Sequence, residues 1–249
     1  MIITLTTDFG TRDGYVGAMK GRILELHREA IVVDISHDIE AQDIRGGAMC
    51  IARASQTFPD GTLHIVVVDP GVGSRRCALL VDSGGQWFVA PDNGVLGPVI
   101  LGNPSAQVYR LRRETEWWTP HPTFDGLAVF APAAACVANG IETSRLAEPT
   151  EEWIQLVIPQ ARQEDGGWVG EILQFDRFGN AITCISGADV GSAAACSGHD
   201  FPLRTHYADV SAGTPLGIVN SDGLLELAVR DGSAQDQLGL SVGDPVRSA

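Results

Sequence analysis

The stretch VVVDPGVGSRR, residues 66–76, sets an acid, Asp69, at the end of an apolar run and follows it with two glycines and the arginines Arg75 and Arg76. β-Branched residues that stop at Asp-Pro-Gly describe a buried strand delivering its aspartate into a tight turn. Glycine-rich turns can cradle phosphate. Here the Lys-Ser/Thr of a P-loop is missing, no G-x-G-x-x-G occurs, and a carboxylate at the mouth would repel the anion. The stretch must serve another chemistry.

Three other apolar runs end in polar loops: TTDFGTRDG with Asp8 and Asp13, SHDIEAQD with His37, Asp38 and Asp43, and PDNG with Asp92 and Asn93. Parallel strands would bring all four loops to one sheet edge, where α/β proteins place their sites. Each loop also has a plain structural reading. PDNG and TRDG are good turns, Ser36 or Asp38 can cap a helix, and Arg76 can be a surface cation. Clustered Asp and His suit a metal, but no H-x-x-x-H or D-x-D-x-D-G spacing is present, and no G-x-S-x-G marks a serine hydrolase.

The elements that carry these loops follow from periodicity. Residues 2–7, 31–36, 62–68, 77–83 and 87–91 are short, β-branched or aromatic, and bounded by Gly, Pro, Asp or Ser. Tyr15, Met19, Ile23 and Leu26 recur at helical spacing, and 43–57 and 126–140 also read as helices. Alternation of the two kinds predicts an α/β domain over 1–160, a mostly parallel sheet flanked by helices. The polar stretch 159–168 reads as a linker. From 168 to 249 the chain shows short strands and turns without a long helix, which predicts a smaller all-β barrel.

A net charge of −14 sets this chain against nucleic acid and anionic membranes, and no apolar run approaches the twenty residues of a membrane span. Its five cysteines are scattered, odd in number and without C-x-x-C. They read as reduced thiols, and with no signal-like start the expected compartment is the cytoplasm.

The motifs TLTTDFGTRDGYVGAMKG, VVDPGVGSRR, PDNGVL, FAPAAA, FDRFGNAIT and VNSDGLLELAV, in this order, resemble the SAM hydroxide adenosyltransferase family, relatives of the SAM-dependent fluorinase and chlorinase. The likeness spans essentially the whole chain. It implies an N-terminal α/β domain and a C-terminal β-barrel assembled as a homotrimer, with active sites shared between neighbouring subunits. It also implies hydrolysis of S-adenosyl-L-methionine (SAM) to adenosine and methionine, with SAM as substrate and neither cofactor nor metal.

By that resemblance Asp8 binds the ribose hydroxyls, while Asp69 and Arg76 match two members of an Asp-Arg-His triad around the attacking water. Asp176, Asn180 and Ser221 match positions that hold the methionine end, and Arg230 lies near the adenine-binding segment. Asp13 and Asn93, in the same polar loops, are read as further substrate-binding positions. The family's TFHGRD is here TFDGLA, so Asp125 occupies the histidine position and Leu127 and Ala128 follow. Either Asp125 orients the water, or His121 supplies the imidazole. Loss of HGRD also leaves open a SAM-binding protein with weakened catalysis. A halogenase is disfavoured, because Gln42 and Asp69 stand where that enzyme has tryptophan and tyrosine, and a carboxylate beside the nucleophile repels halide.

Overall fold

The apolar runs of the first half become strands β1 (Ile2–Thr7), β2 (Ile31–Ser36), β3 (Leu63–Val67), β4 (Ala78–Ser83) and β5 (Gln86–Pro91) in a computed structural model that describes residues 1–248. With β6 (Gln107–Leu111) and β7 (Ala147–Pro149) they form a seven-stranded sheet in the order β2-β1-β3-β5-β4-β6-β7. β1 pairs in parallel with β2 and β3, and β3 with β5. β4 is antiparallel to both β5 and β6, and β6 to β7, so five of the seven strands run one way. The loops that follow β1, β2, β3, β5 and β6 therefore leave from a single edge.

Helices α1 (Tyr15–Leu26) and α4 (Ala131–Ala138) cover one face of this sheet, and α2 (Ile44–Ala54) and α3 (Gly97–Leu101) the other; α5 (Thr143–Leu146) precedes β7. Because strand side chains alternate, Ile65 and Val67 pack with Met19, Ile23 and Phe130, whereas Val66 joins Ala48 and Ile51 on the opposite side. Asp43 caps α2, its carboxylate accepting the Gly46 N–H at 2.9 Å, which assigns it the structural role. The helix expected from 126 begins with a π-helical turn, Gly126–Phe130. β6 was not visible in the sequence: its residues QVYRL follow no strict polar–apolar alternation, and only Leu111 is buried.

The chain divides into compact units at Val157/Ile158. The second unit contains β8 (Arg162–Glu164), β9 (Gly167–Phe175), β10 (Ala181–Ser186), β11 (Ala193–Cys196), β12 (His199–Pro202), β13 (Pro215–Val219), β14 (Leu224–Val229), α6 (Ala234–Leu238) and β15 (Pro245–Ser248). Its sheet runs β12-β11-β15-β9-β10-β14-β13, antiparallel throughout, with β8 paired to β9. A bridge between Leu203 and Gly217, beside an Arg204 N–H to Gly217 C=O bond of 2.8 Å, brings the two ends of the path together. The result is a nearly closed barrel around Ile172, Phe201, Leu225 and Val246.

The stretch 159–168, read as a linker, is partly a hairpin. Asp165 and Gly166 both take positive φ, 50° and 83°, and join β8 to β9. Asp-Gly is the two-residue turn whose twist matches the flanking strands.

Candidate active site

After β3 the chain turns at once: the Val72 N–H reaches the Asp69 C=O at 3.2 Å, the Ser74 N–H reaches the Gly71 C=O at 3.1 Å, and Gly73 takes φ +78°. This fold-back returns Arg76 to Asp69. Arg76 Nε donates to Asp69 Oδ1 at 2.8 Å and Oδ2 at 3.0 Å, and Nη2 also donates to Oδ2. The same Nη2 donates to Asp125 Oδ2 at 2.7 Å. One guanidinium thus holds two carboxylates, and the three side chains are only 10%, 4% and 9% exposed for Arg76, Asp69 and Asp125. Charges so buried persist only when geometry and hydrogen bonds offset the lost hydration. Phe130 adds a ring 5.4 Å from the guanidinium carbon.

Asp125 sits immediately before the π-helical turn and makes no capping bond to it, so its carboxylate is available to Arg76. Its other oxygen, Oδ1, accepts the His121 backbone N–H at 3.0 Å. π-Helical turns often occur at functional sites. The His121 ring points elsewhere: its Nδ1 accepts the Thr123 N–H at 3.2 Å, and the residue is exposed. Asp125, not the His121 imidazole, therefore occupies the contact with Arg76.

The other polar loops arrive at the same sheet edge with different duties. Asp8, half-buried, accepts the Gln42 N–H on Oδ2 at 2.8 Å, and Gln42 adopts φ +68° to deliver it. Asp13 is exposed just ahead of α1. Asn93 is committed at both ends of its amide, donating to the Val68 C=O at 2.8 Å and accepting the Val95 N–H at 3.1 Å. It thus ties the end of β3 to the turn after β5. Asp92 is equally committed, accepting the Ile154 N–H at 2.8 Å. His37 is buried between Thr7 Oγ1, 2.9 Å from Nδ1, and Asp34, 3.0 Å from Nε2. Burial pushes the Asp34 carboxyl up, but hydrogen bonds and charge from Lys20 and His37 outweigh this and hold it below the usual range.

In the second unit Asp176, Asn180, Ser221 and Arg230 line one cavity of about 910 Å³ together with Phe178, Tyr207 and Glu226. Asp176 orders its own turn, accepting the N–H groups of Phe178 and Asn180 at 2.8 and 2.9 Å and the Asn180 side-chain amide at 3.0 Å. Arg230 anchors the segment before β13 through the carbonyls of Ala208 (3.2 Å) and Val210. Ser221 is exposed. Sequence reasoning missed the Tyr207 hydroxyl, which donates to Glu226; burial raises the Glu226 carboxyl above its ordinary range and the Tyr207 phenol likewise. A lone glutamate inside the otherwise apolar run LLELAV was the available signal. Among the described residues no group of three or more His, Cys, Asp or Glu side chains is placed to hold a metal ion.

Residues 3–147 match the SAM hydroxide adenosyltransferase N-terminal domain, and residues 170–247 the SAM hydroxide adenosyltransferase C-terminal domain. A Thermus thermophilus protein named (R)-S-adenosyl-L-methionine hydrolase is 38% identical, over 97% of this chain and 96% of its own. A fluorinase from Actinopolyspora mzabensis is more distant, at 26% identity over 99% and 96%. The crystal structure of an uncharacterized conserved protein from Thermotoga maritima superposes with a TM-score of 0.91 at 32% identity, covering 99% of both chains. With two domain matches spanning most of its length and full-length relatives of this similarity, the chain belongs to the SAM hydroxide adenosyltransferase family.

Proposed function

We propose that this protein hydrolyses S-adenosyl-L-methionine to adenosine and L-methionine. Water attacks the ribose C5′, the C5′–S bond breaks, and its electron pair returns to sulfur, which leaves as a neutral thioether and needs no general acid. The water must lose one proton, and a carboxylate is the group to receive it. Asp69 and Asp125 supply two, held at fixed distance by Arg76, so that the water is oriented without reorganisation at the moment of reaction. Asp125 stands in for the family's histidine. No cofactor is required in this scheme. The single observation that carries the reading is the buried Asp69–Arg76–Asp125 group at the loop edge of the parallel sheet.

The same arrangement argues against halide as the nucleophile, since two buried carboxylates flank the site where it would approach. Asp8 binds the ribose hydroxyls with its remaining oxygen. The cavity containing Asp176, Asn180 and Ser221 receives the methionine end. Nucleophile and ribose positions lie in the first unit and methionine positions in the second. The active species is a homotrimer in which one subunit's first unit meets a neighbour's second, working in the reducing cytoplasm that suits its five free thiols.

The test is incubation with SAM, with and without chloride, fluoride or EDTA, following adenosine and 5′-halo-adenosine by chromatography and SAM binding by calorimetry. Wild type should yield adenosine alone, in EDTA as well. Asp69→Asn should lose about a hundredfold or more in turnover while still binding SAM. Binding without turnover in the wild type would make it a SAM-binding protein instead.

A further inference from the structure

On the sheet edge beside Arg76 lies a cavity of about 470 Å³ formed by the β3–β4 loop, the end of β6 and the 120–125 loop. Five arginines line it, Arg75, Arg76, Arg110, Arg112 and Arg113, against two carboxylates, Asp125 and Glu148. That concentration takes five of only seventeen basic residues in a chain of net charge −14. Arg110 and Arg112 fall two residues apart at the end of β6, on the same face of the sheet.

The internal carboxylates do not neutralise this set. Arg76 is satisfied by Asp69 and Asp125, and Arg112 by Glu148 at 2.7 Å. Arg110 has only a distant ion pair with Glu152, 3.9 Å away, and its Nε is buried without a hydrogen-bond partner. Arg75 and Arg113 are exposed, and neither has a carboxylate partner among the described residues. A buried guanidinium N–H left unmade is costly, and a group of forked donors around one cavity matches a multivalent oxyanion. Asp69, whose carboxylate tells against a phosphate cradle in the sequence, is turned onto Arg76 and does not line this cavity.

We propose that this cavity is an anion site for a phosphate group, held by Arg75, Arg110 and Arg113. The phosphate is either free or the terminal group of a nucleotide, for which the volume leaves room. Because Arg76 and Asp125 form one wall, its occupancy lowers SAM turnover by drawing the Arg76 guanidinium away from Asp69 and Asp125. That coupling rests on the hydrolase reading above; the site itself does not.

Calorimetric titration of the whole protein with inorganic phosphate, pyrophosphate and ADP, at constant ionic strength set with sodium chloride, tests it. Saturable binding of at least one is expected; tightest binding of ADP identifies a nucleotide phosphate, and equal binding of inorganic phosphate a free anion. The Arg75→Gln/Arg113→Gln variant should bind about tenfold or more weakly, with basal SAM turnover unchanged. Cys77, which also lines the cavity, gives a readout independent of activity: phosphate should slow its alkylation by iodoacetate, followed by peptide mass spectrometry. No saturable binding, or equal binding by wild type and variant, overturns the site. Binding that leaves turnover unchanged keeps the site and overturns the coupling.

Discussion

Gly73 stands so close to Pro122 that a methyl group on its α-carbon would lie 2.1 Å from the Pro122 carbonyl oxygen. Gly73 belongs to the loop that presents Arg76, and Pro122 to the loop that presents Asp125, so this contact sets the spacing of the ion pair between them. Gly73→Ala must both take up φ +78° and push the loops apart. Conformational strain alone costs about 1–2 kcal/mol. Gly61 is the control: it has φ +78° too, but nothing within 4 Å of the position a methyl would occupy. Both alanine variants should lose a few degrees in Tm, and only Gly73→Ala should lose turnover steeply. Equal turnover in the two variants would show that the loop contact is irrelevant to chemistry.

The roles of Asp125 and His121 separate cleanly, because Asp125 offers a carboxylate to Arg76 while His121 only donates its backbone N–H to Asp125. Asp125→Asn should lower kcat about a hundredfold or more with little change in SAM affinity. His121→Ala keeps that N–H and should retain near wild-type turnover. The reverse ranking would return the imidazole to the mechanism. Arg76→Met should be worse folded than either, since two buried carboxylates lose their shared counter-charge, a loss of about 3–5 kcal/mol by denaturant titration.

The parallel strands and the loops at their ends were legible because β-branched runs stop abruptly at Gly, Pro and Asp. The fold-back that joins Asp69 to Arg76 follows from glycines in the sequence. The partner across the site does not, since nothing local says whether residue 125 or residue 121 reaches Arg76; that depends on the π-helical turn. β6 escaped because three of its five residues are only half-buried and a fourth is exposed, so its pattern carries little apolar contrast. Asn93 shows the same limit, because a polar residue at a strand end serves equally well as a ligand and as a clamp, and its clamping bonds to Val68 and Val95 appear only in the fold.

His64 makes stability depend on pH away from the site. It is buried, stacked on Phe88 with ring centroids 4.8 Å apart, and bonded through Nδ1 to Thr4 Oγ1 at 2.7 Å. Burial pushes its pKa down to about 4, against a weaker opposing contact with Gln86. The unfolded chain takes up this proton near pH 6.5 and the folded chain does not, so stability is full above 6.5 and falls as pH drops towards 4. The loss from this one residue is about 3 kcal/mol. Denaturant melts of wild type and His64→Gln across that window should differ in slope, the variant being flatter. Parallel curves would show that His64 is not the titrating group.

The proposed sharing of one site between subunits makes a further prediction that no single-site lesion can mimic. Asp69→Asn disables the first unit's half of the site. Ser221→Trp should block the second unit's half, since Ser221 is exposed and lines the cavity with Asp176 and Asn180. Each homotrimer alone should be inactive. Coexpressed, random assembly places an intact Asp69 beside a neighbour's intact Ser221 at roughly a quarter of the sites. Turnover should recover to about that fraction of wild type per site in coexpressed protein, and not in mixtures of the two purified variants that cannot exchange subunits. If coexpression restores nothing while native mass spectrometry shows mixed trimers, both halves of the site come from the same chain.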